Sequence, residues 1–173
     1  MKKLLILLLA LCMLASLAAC SGETPQTPNN NNNPGNNNQT TEGFSFTYKG
    51  TKIAIHADAE PILAALGEPK SYTEQASCAF EGLDKTYYYG SFYLDTYPLN
   101  GKDYVYGYWF ADDSVSTEEG IYIGATKAQV ESAYGADAFN GVNAYMVTKG
   151  DNLLTIILEE GLVSSIQYAL VLN

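Results

Sequence analysis

Three kinds of hydrophobic patterning follow one another along the 173-residue chain. Residues 4–15 form an apolar run that follows two lysines. Residues 21–43 carry almost no apolar side chain and include three prolines and two runs of asparagine. From residue 44 onward, apolar and polar residues alternate in short segments. The pattern therefore predicts one folded domain, residues 44–173, behind an apolar leader and a polar spacer.

Most of the elements predicted within this domain are strands. Aromatic and β-branched residues dominate three segments, residues 86–97, 103–110 and 153–170, and this composition favours strands. The helical signals are brief. Two segments each predict a short helix that a glycine ends, residues 60–67 with Asp58 as N-cap and residues 126–135 with Thr126 as N-cap.

The two predicted helices align with each other when the sequence is shifted by 68 positions. Apolar residues and the final glycine then coincide in the pairs Ile53 and Ile121, Ile55 and Ile123, Ala57 and Ala125, Ile62 and Val130, Leu66 and Tyr134, and Gly67 and Gly135. Further along, a second shared pattern assigns two sets of residues to the core: Val105, Tyr108 and Phe110, matched by Val163, Ile166 and Tyr168. The sequence therefore predicts an α+β fold of two tandem repeats, about residues 44–116 and 117–173, each a short helix packed on an antiparallel β-meander.

The end of the leader resembles the bacterial lipobox. Leu17-Ala18-Ala19-Cys20 places small residues directly before a cysteine, and a polar stretch follows at once. The resemblance implies a signal peptide over residues 1–19, a diacylglycerol on the sulfur of Cys20, and a disordered tether over residues 20–43. The protein would then be a lipoprotein held on the extracytoplasmic face of the cell membrane by its lipid. An ordinary secretory signal with a chance cysteine is the alternative.

Charge restricts the partners that this chain is expected to have. It contains no arginine, and its 9 lysines against 19 acidic residues give a net charge of −10. Removal of Lys2 and Lys3 with the leader leaves 7 lysines against 19 acids, or about −12. Such a surface disfavours nucleic acid and anionic lipid headgroups, both of which require Lys and Arg. A basic partner fits the charge better.

Residues 117–126, together with Val130 and the pair Tyr134-Gly135, carry a further resemblance. They are similar to the repeat of β-lactamase-inhibitory-protein-like domains and to the small modules of outer-membrane barrel-assembly lipoproteins. The shared motif is a G-x-T-x-x-x-V-x-x-x-aromatic/Leu-G helix followed by strands. The resemblance implies a concave sheet that grips another protein, but it assigns no contact residues to this chain.

Strand alternation singles out four aromatic residues as candidates for partner binding. If Val105, Tyr108 and Phe110 face the core, then neighbouring side chains on the strands face away from it. Aromatic rings on that side would suit recognition of a partner, since Trp and Tyr dominate binding hot spots. The predicted set is Trp109, Tyr93, Tyr97 and Tyr106, and the alternative is that these rings belong to the core or are merely half-buried strand residues.

The sequence assigns no catalytic residue, metal site or cofactor. Cys78 lies among small and apolar residues and is expected to be a buried, inert thiol; pairing with His56, the only histidine, is the alternative. Acidic pairs at residues 112–113 and 118–119 lack calcium-loop spacing and are expected to be solvated. Asp58 and Glu60 near His56 are explained more simply by helix capping.

Three functions remain in competition at this point. The first is a non-catalytic module that binds an envelope or extracellular protein. The second is a module that binds a cell-wall glycan or another saccharide. The third is an extracytoplasmic enzyme. A broad aromatic patch would favour the first, a ring with a free face among polar groups the second, and convergent titratable groups in a deep pocket the third.

Overall fold

A computed structural model describes residues 43–139 and 143–172 of the chain. These residues belong to one compact unit. The predicted signal peptide, the lipidated Cys20 and the tether as far as residue 42 lie outside the described residues. Within the described ranges, no helix is long and apolar enough to cross a membrane.

Nine strands and two short α-helices make up the described domain. The strands are β1 (Ser45–Tyr48), β2 (Thr51–Ala54), β3 (Ser71–Ala76), β4 (Leu83–Tyr88), β5 (Phe92–Leu99), β6 (Lys102–Phe110), β7 (Ala144–Lys149), β8 (Asn152–Glu159) and β9 (Leu162–Leu170). The helices are α1 (Ala59–Leu66) and α2 (Lys127–Tyr134), and a 3₁₀ turn (Ala136–Ala138) follows α2. Strands β1 and β2 form a separate ribbon. The other seven form one antiparallel sheet in the order β3-β4-β5-β6-β9-β8-β7.

The predicted fold class, α+β with two tandem repeats of helix and meander, is wrong. Strands account for 50% of the described residues and helix for 15%, and both α-helices have only eight residues. The runs of consecutive strands β3 to β6 and β7 to β9 are not separate sheets, because β6 and β9 pair with each other and make one continuous sheet. The fold is therefore mostly β.

The junction between β6 and β9 depends on a glycine. A Cβ atom on Gly107 would lie 2.3 Å from the carbonyl oxygen of Tyr168, far inside van der Waals contact. Gly107 lies directly opposite Ala169, and the next pairs along the strands are Tyr108 with Tyr168 and Trp109 with Gln167. The absence of a side chain at residue 107 lets the two central strands approach.

Both helices begin and end where their caps predict. The carboxylate of Asp58 accepts a hydrogen bond from the backbone N–H of Glu60 at 3.1 Å. Thr126 and Gln129 form a capping box, in which each side chain bonds the backbone of the other residue. The helices bury Ile62 and Val130 in the same core as the sheet, because each helix is short and has one apolar face.

A β-bulge explains why the predicted core residues of β6 are three apart rather than two. Asp95 lies opposite Gly107 but Thr96 lies opposite Val105, so Tyr106 is an extra residue in β6. The extra residue returns Val105 to the face that carries the buried Tyr108. The same irregularity occurs in β9. All six predicted core residues are buried: Val105, Tyr108, Phe110, Val163, Ile166 and Tyr168.

One local hydrogen-bond pattern occurs twice, and it joins the alanines aligned by the shift of 68 residues to the valines of the second shared pattern. The backbone N–H of Val105 donates to the carbonyl of Ala57 at 2.9 Å. The N–H of Val163 donates to the carbonyl of Ala125 at 2.8 Å. The aligned residues thus hold the chain ahead of each helix against the sheet.

The residue before each of these alanines adopts a left-handed backbone. The N–H of His56 donates to Val105, and the N–H of Gly124 donates to Val163, both at 2.8 Å. The φ angles are 64° for His56 and 98° for Gly124. Glycine adopts this conformation readily, whereas a residue with a Cβ does not. His56 is therefore strained where its counterpart is relaxed.

Candidate binding groove

Three aromatic rings stack in a row across β4, β5 and β6, on the face of the sheet opposite the helices. The ring centroids of Tyr88 and Tyr93 are 4.4 Å apart with 24° between the planes. Those of Tyr93 and Trp109 are 4.6 Å apart with 11° between the planes. The three residues lie directly opposite one another in the strand register. We call this row the aromatic ladder.

The ladder continues as a mixed row over the rest of the sheet. Trp109 lies opposite Gln167, which lies opposite Thr155, and Thr155 lies opposite Met146. All three rings of the ladder are half-buried, whereas Gln167 and Met146 are exposed. The aromatic part of this outer face is thus confined to the half built by β4, β5 and β6.

A groove of about 460 Å³ runs along this aromatic half of the sheet. Strands β3 to β6 and the segment that joins β3 to β4 supply its walls. Among the residues that line it are Asp95, Trp109, Tyr106, Tyr97, Glu74 and Asp84. Three of the four aromatic residues predicted for partner binding therefore line one groove, and the fourth, Tyr93, stacks on Trp109. We call this groove the outer groove.

Tyr97 differs from the other three predicted residues because it is buried, with 3% of its surface exposed. The segment between β3 and β4 covers it, and the ring of Phe80 lies 4.8 Å from the ring of Tyr97. The Tyr97 hydroxyl and Nδ1 of His56 are 2.5 Å apart and form a hydrogen bond. Burial raises the pKa of the Tyr97 hydroxyl. Tyr97 therefore supports the wall of the groove and presents little of itself to a partner.

Tyr106 owes its place in the groove to the bulge in β6. As the extra residue of that strand, it has no partner opposite it in β5. Its half-buried ring meets the ring of Tyr97 edge-on, with centroids 6.3 Å apart. A bulge commonly re-aims a side chain in this way.

Asp95 is the most perturbed carboxyl group among the described residues. It lies opposite Thr86, whose hydroxyl donates a hydrogen bond to its Oδ1 at 2.6 Å. Burial in the groove raises the pKa of Asp95 to about 6, the bond from Thr86 opposes the rise, and the charge of Asp84 adds to it. A carboxylate with a raised pKa is poorly solvated and has spare capacity to accept hydrogen bonds.

Lys85 is the cation that lines the groove, and its charge is already paired. Its ammonium lies 2.6 Å from Oδ2 of Asp103. That hydrogen bond raises the pKa of Lys85 against the opposing effect of burial. Three carboxylates, those of Glu74, Asp84 and Asp95, line the groove, and Lys85 is the one cation beside them among the described residues. The groove therefore presents a net negative potential.

The expectation of a buried Cys78 is wrong, because the thiol is exposed. It lies in the segment between β3 and β4 that covers Tyr97 and lines the outer groove. The chain leaves the sheet there, so the apolar neighbours of Cys78 in sequence do not enclose it. His56 bonds to Tyr97, and no hydrogen bond joins it to Cys78 in the part of the chain that the structure describes.

Four of the six acidic residues weighed as metal ligands have protein partners. Asp58 caps α1 and also lies 2.8 Å from the ammonium of Lys102, whose hydrogen bond lowers the pKa of Asp58. Asp112 accepts hydrogen bonds from Ser114. Glu118 accepts one from Ser45, and Glu119 accepts one from Tyr134. Within residues 43–139 and 143–172, no three His, Cys, Asp or Glu side chains converge on a point.

Sequence reasoning missed two residues of this surface. Tyr88 stands in a run of three tyrosines whose register could not be read before the pairing with β5 was known. Asp95 alternates with Phe92 and Leu94 in the predicted pattern, which placed it on the outer face but gave no sign of its burial. The pattern in the sequence that could have identified both residues is strand alternation, which places them on the same face of the sheet as Tyr93.

No protein-family model, curated protein or solved structure matches this chain. The resemblance to the inhibitory-protein repeat therefore rests on the motif residues alone. A fold does not specify a function, so the groove and the ladder are the features of this domain that bear on its function.

Proposed function

We propose that the domain is the non-catalytic, protein-binding part of a lipid-anchored lipoprotein on the extracytoplasmic face of the cell membrane. Its binding surface is the aromatic ladder together with the outer groove, and its partner is an envelope or extracellular protein. The observation that carries the proposal is the stack of Tyr88, Tyr93 and Trp109 at the groove. Half-buried aromatic residues of this kind are the usual anchors of protein interfaces.

The stacking supports a protein partner over a saccharide. A sugar ring binds by covering the free face of an aromatic ring. Both faces of the Tyr93 ring are already covered, one by Tyr88 and the other by Trp109. Stacked rings offer a broad edge-on surface to a partner, and this suits the side chains of a protein.

The titratable groups support binding over catalysis. A nucleophile and its base must lie within hydrogen-bond reach of each other. His56 bonds to Tyr97, and Lys85 is held by Asp103. Glycan binding remains the second candidate, favoured by the hydroxyl and amide groups of Thr73, Thr86 and Gln75 that also line the groove.

The test is capture of partners from envelope extract with the intact chain in detergent as bait. Trp109→Ala is compared with Tyr122→Ala, an exposed tyrosine ahead of α2 that does not line the groove. We expect the first variant to lose at least one protein that the wild type and the second variant both retain. Equal recovery of every protein by all three would overturn the proposal.

A further inference from the structure

The outer groove has a chemical character more specific than an aromatic surface. Its rings, Trp109 and Tyr106, present electron-rich π-systems, and three carboxylates line the same space. The one lysine among its walls is neutralised by Asp103. Aromatic rings next to carboxylates form the environment that binds organic cations, by cation–π attraction and by salt bridges.

Asp95 supplies the point at which such a cation would be held. Its strand neighbours Phe92 and Leu94 are buried on the other face, so the carboxylate lies on the groove side of β5. An ionised carboxylate accepts about four hydrogen bonds. Among the described residues, one side chain, Thr86, donates to Asp95. The remaining acceptor positions are in place for a donor from a ligand.

We infer that the outer groove binds the end of a lysine or arginine side chain of the partner protein, with Asp95 as the anion that pairs with it and Trp109 as the ring beside it. The inference rests on the proposed function and adds the chemistry of the partner. The overall charge of −10 favours the same partner, because it attracts a basic surface before contact is made.

Partial burial of Asp95 is the feature that makes the pairing selective. An arriving guanidinium or ammonium restores the interactions that the carboxylate has lost from water, whereas a neutral side chain of the same length cannot. Hydrogen bonds between charged groups are about twice as strong as neutral ones. A metal ion is disfavoured, because the described residues offer no cluster of three ligands.

The experiment follows the fluorescence of Trp109, the only tryptophan in the chain, in the intact protein in detergent. The probes are a short glycine–serine peptide carrying arginine and lysine, the same peptide with glutamine at those positions, and a soluble cell-wall oligosaccharide. The variants are Asp95→Asn, which keeps the shape of the side chain, and Asp113→Asn, an exposed acid outside the groove. Nuclear magnetic resonance of the Asp95 carboxyl reports its pKa with and without peptide.

We expect the basic peptide to change the fluorescence and to lower the pKa of Asp95, and the glutamine peptide to do neither. Asp95→Asn should weaken binding of the basic peptide by about tenfold or more, the usual effect of losing a charge-assisted bond. Asp113→Asn should leave it within about twofold of the wild type, as for an exposed, screened charge. Circular dichroism checks that both variants keep the fold.

Two results of the fluorescence experiment overturn the inference. One is equal binding of the basic and glutamine peptides, or no binding of either peptide. The other is binding of the oligosaccharide but not of the basic peptide, which would favour a glycan as the ligand. If Asp95→Asn retains a captured partner that Trp109→Ala loses, the cation inference fails and the proposed function stands. If neither variant changes capture, both fail.

Discussion

The rings of Tyr93 and Trp109 lie face to face, 4.6 Å apart and 11° from parallel, on neighbouring strands of the central sheet. The two residues are directly opposite in register, and strands in a sheet are about 4.8 Å apart. The stack is therefore the natural consequence of placing two aromatic residues at one register position. It gives the outer face a rigid aromatic edge, and its energy can be measured.

Removal of either ring should cost stability, and removal of both should cost less than the sum. We expect Trp109→Ala to lower the free energy of unfolding by about 1–2 kcal/mol, because the ring is only half-buried. The double-mutant cycle with Tyr93→Ala should give a coupling energy of about 0.5–1 kcal/mol. Urea unfolding of the four proteins measures it, and a coupling of zero would mean that the rings do not stack in solution.

Asp95 should make the protein less stable as the pH rises from about 4 to 7. Burial raises the pKa of Asp95 to about 6, above the 3.8 of the unfolded chain. The contribution of Asp95 to the free energy of unfolding is therefore fully present below pH 3.8 and is lost as the pH rises through about 6. We expect a loss of about 1–2 kcal/mol, reduced from the full shift because the groove is open to water.

Asp95→Asn should remove this part of the pH dependence, since the amide does not ionise. Asp113→Asn serves as the control and should leave the profile unchanged. The measurement is the free energy of unfolding at several pH values between 4 and 7. A profile of Asp95→Asn identical to that of the wild type would show that Asp95 is well solvated.

Buried tyrosines should make the protein unfold in alkali. Burial raises the pKa of Tyr108 and of Tyr168 well above the ordinary value, and the nearby charge of Glu119 adds to both shifts. These hydroxyls support stability fully below about pH 10 and lose that support as the pH rises further, because only the unfolded chain ionises there. We expect a decline of up to about 1.4 kcal/mol per pH unit for each tyrosine. Tyr168→Phe should reduce the slope, and a slope equal to that of the wild type would contradict the assignment.

The strained backbone at His56 can be tested by two replacements that both remove the imidazole. His56→Gly and His56→Ala lose the same hydrogen bond to Tyr97 and the same stacking on Tyr104. Only alanine keeps a Cβ at a φ of 64°. We therefore expect the glycine variant to be more stable by about 1 kcal/mol. Greater stability of the alanine variant would contradict a left-handed backbone at this residue.

The pairing of β6 with β9 should not tolerate a side chain at Gly107. The added methyl group of Gly107→Ala would have to displace the backbone of Tyr168, and overpacking of this kind costs about 1–3 kcal/mol or more. Thermal unfolding measures the loss. A melting temperature unchanged from the wild type would show that the two strands lie further apart than described.

The sequence predicted the local elements better than their assembly. Caps at Asp58 and Thr126 are local interactions, so the residue types alone indicated both helices correctly. The pairing of β6 with β9 joins residues about 60 positions apart, and nothing in either strand specifies that partner. The classification as a helix-and-meander repeat failed for this reason. The short edge strand β3 was also missed, because all its residues are exposed and it has no apolar face to detect.

The candidate site was predicted only in part, again because local patterns do not specify long-range contacts. Alternation along β5 placed Tyr93 on the outer face, and the three-residue spacing in β6 correctly assigned Val105 and Tyr108 to the core. Burial of Tyr97 and exposure of Cys78 depend on how the segment between β3 and β4 folds over the sheet. That path is set by long-range contacts such as Phe80 with Tyr97, which no local pattern reveals.

Photo-crosslinking in the cell that makes the protein identifies what contacts the aromatic ladder. A photoreactive phenylalanine is placed at Tyr93 in the full-length chain and, as the matched control, at Tyr122, which is exposed but does not line the groove. Binding through the aromatic ladder predicts a discrete crosslinked protein from position 93 that is absent from position 122 and is lost with Trp109→Ala. No crosslink at position 93, or the same products from both positions, would contradict it.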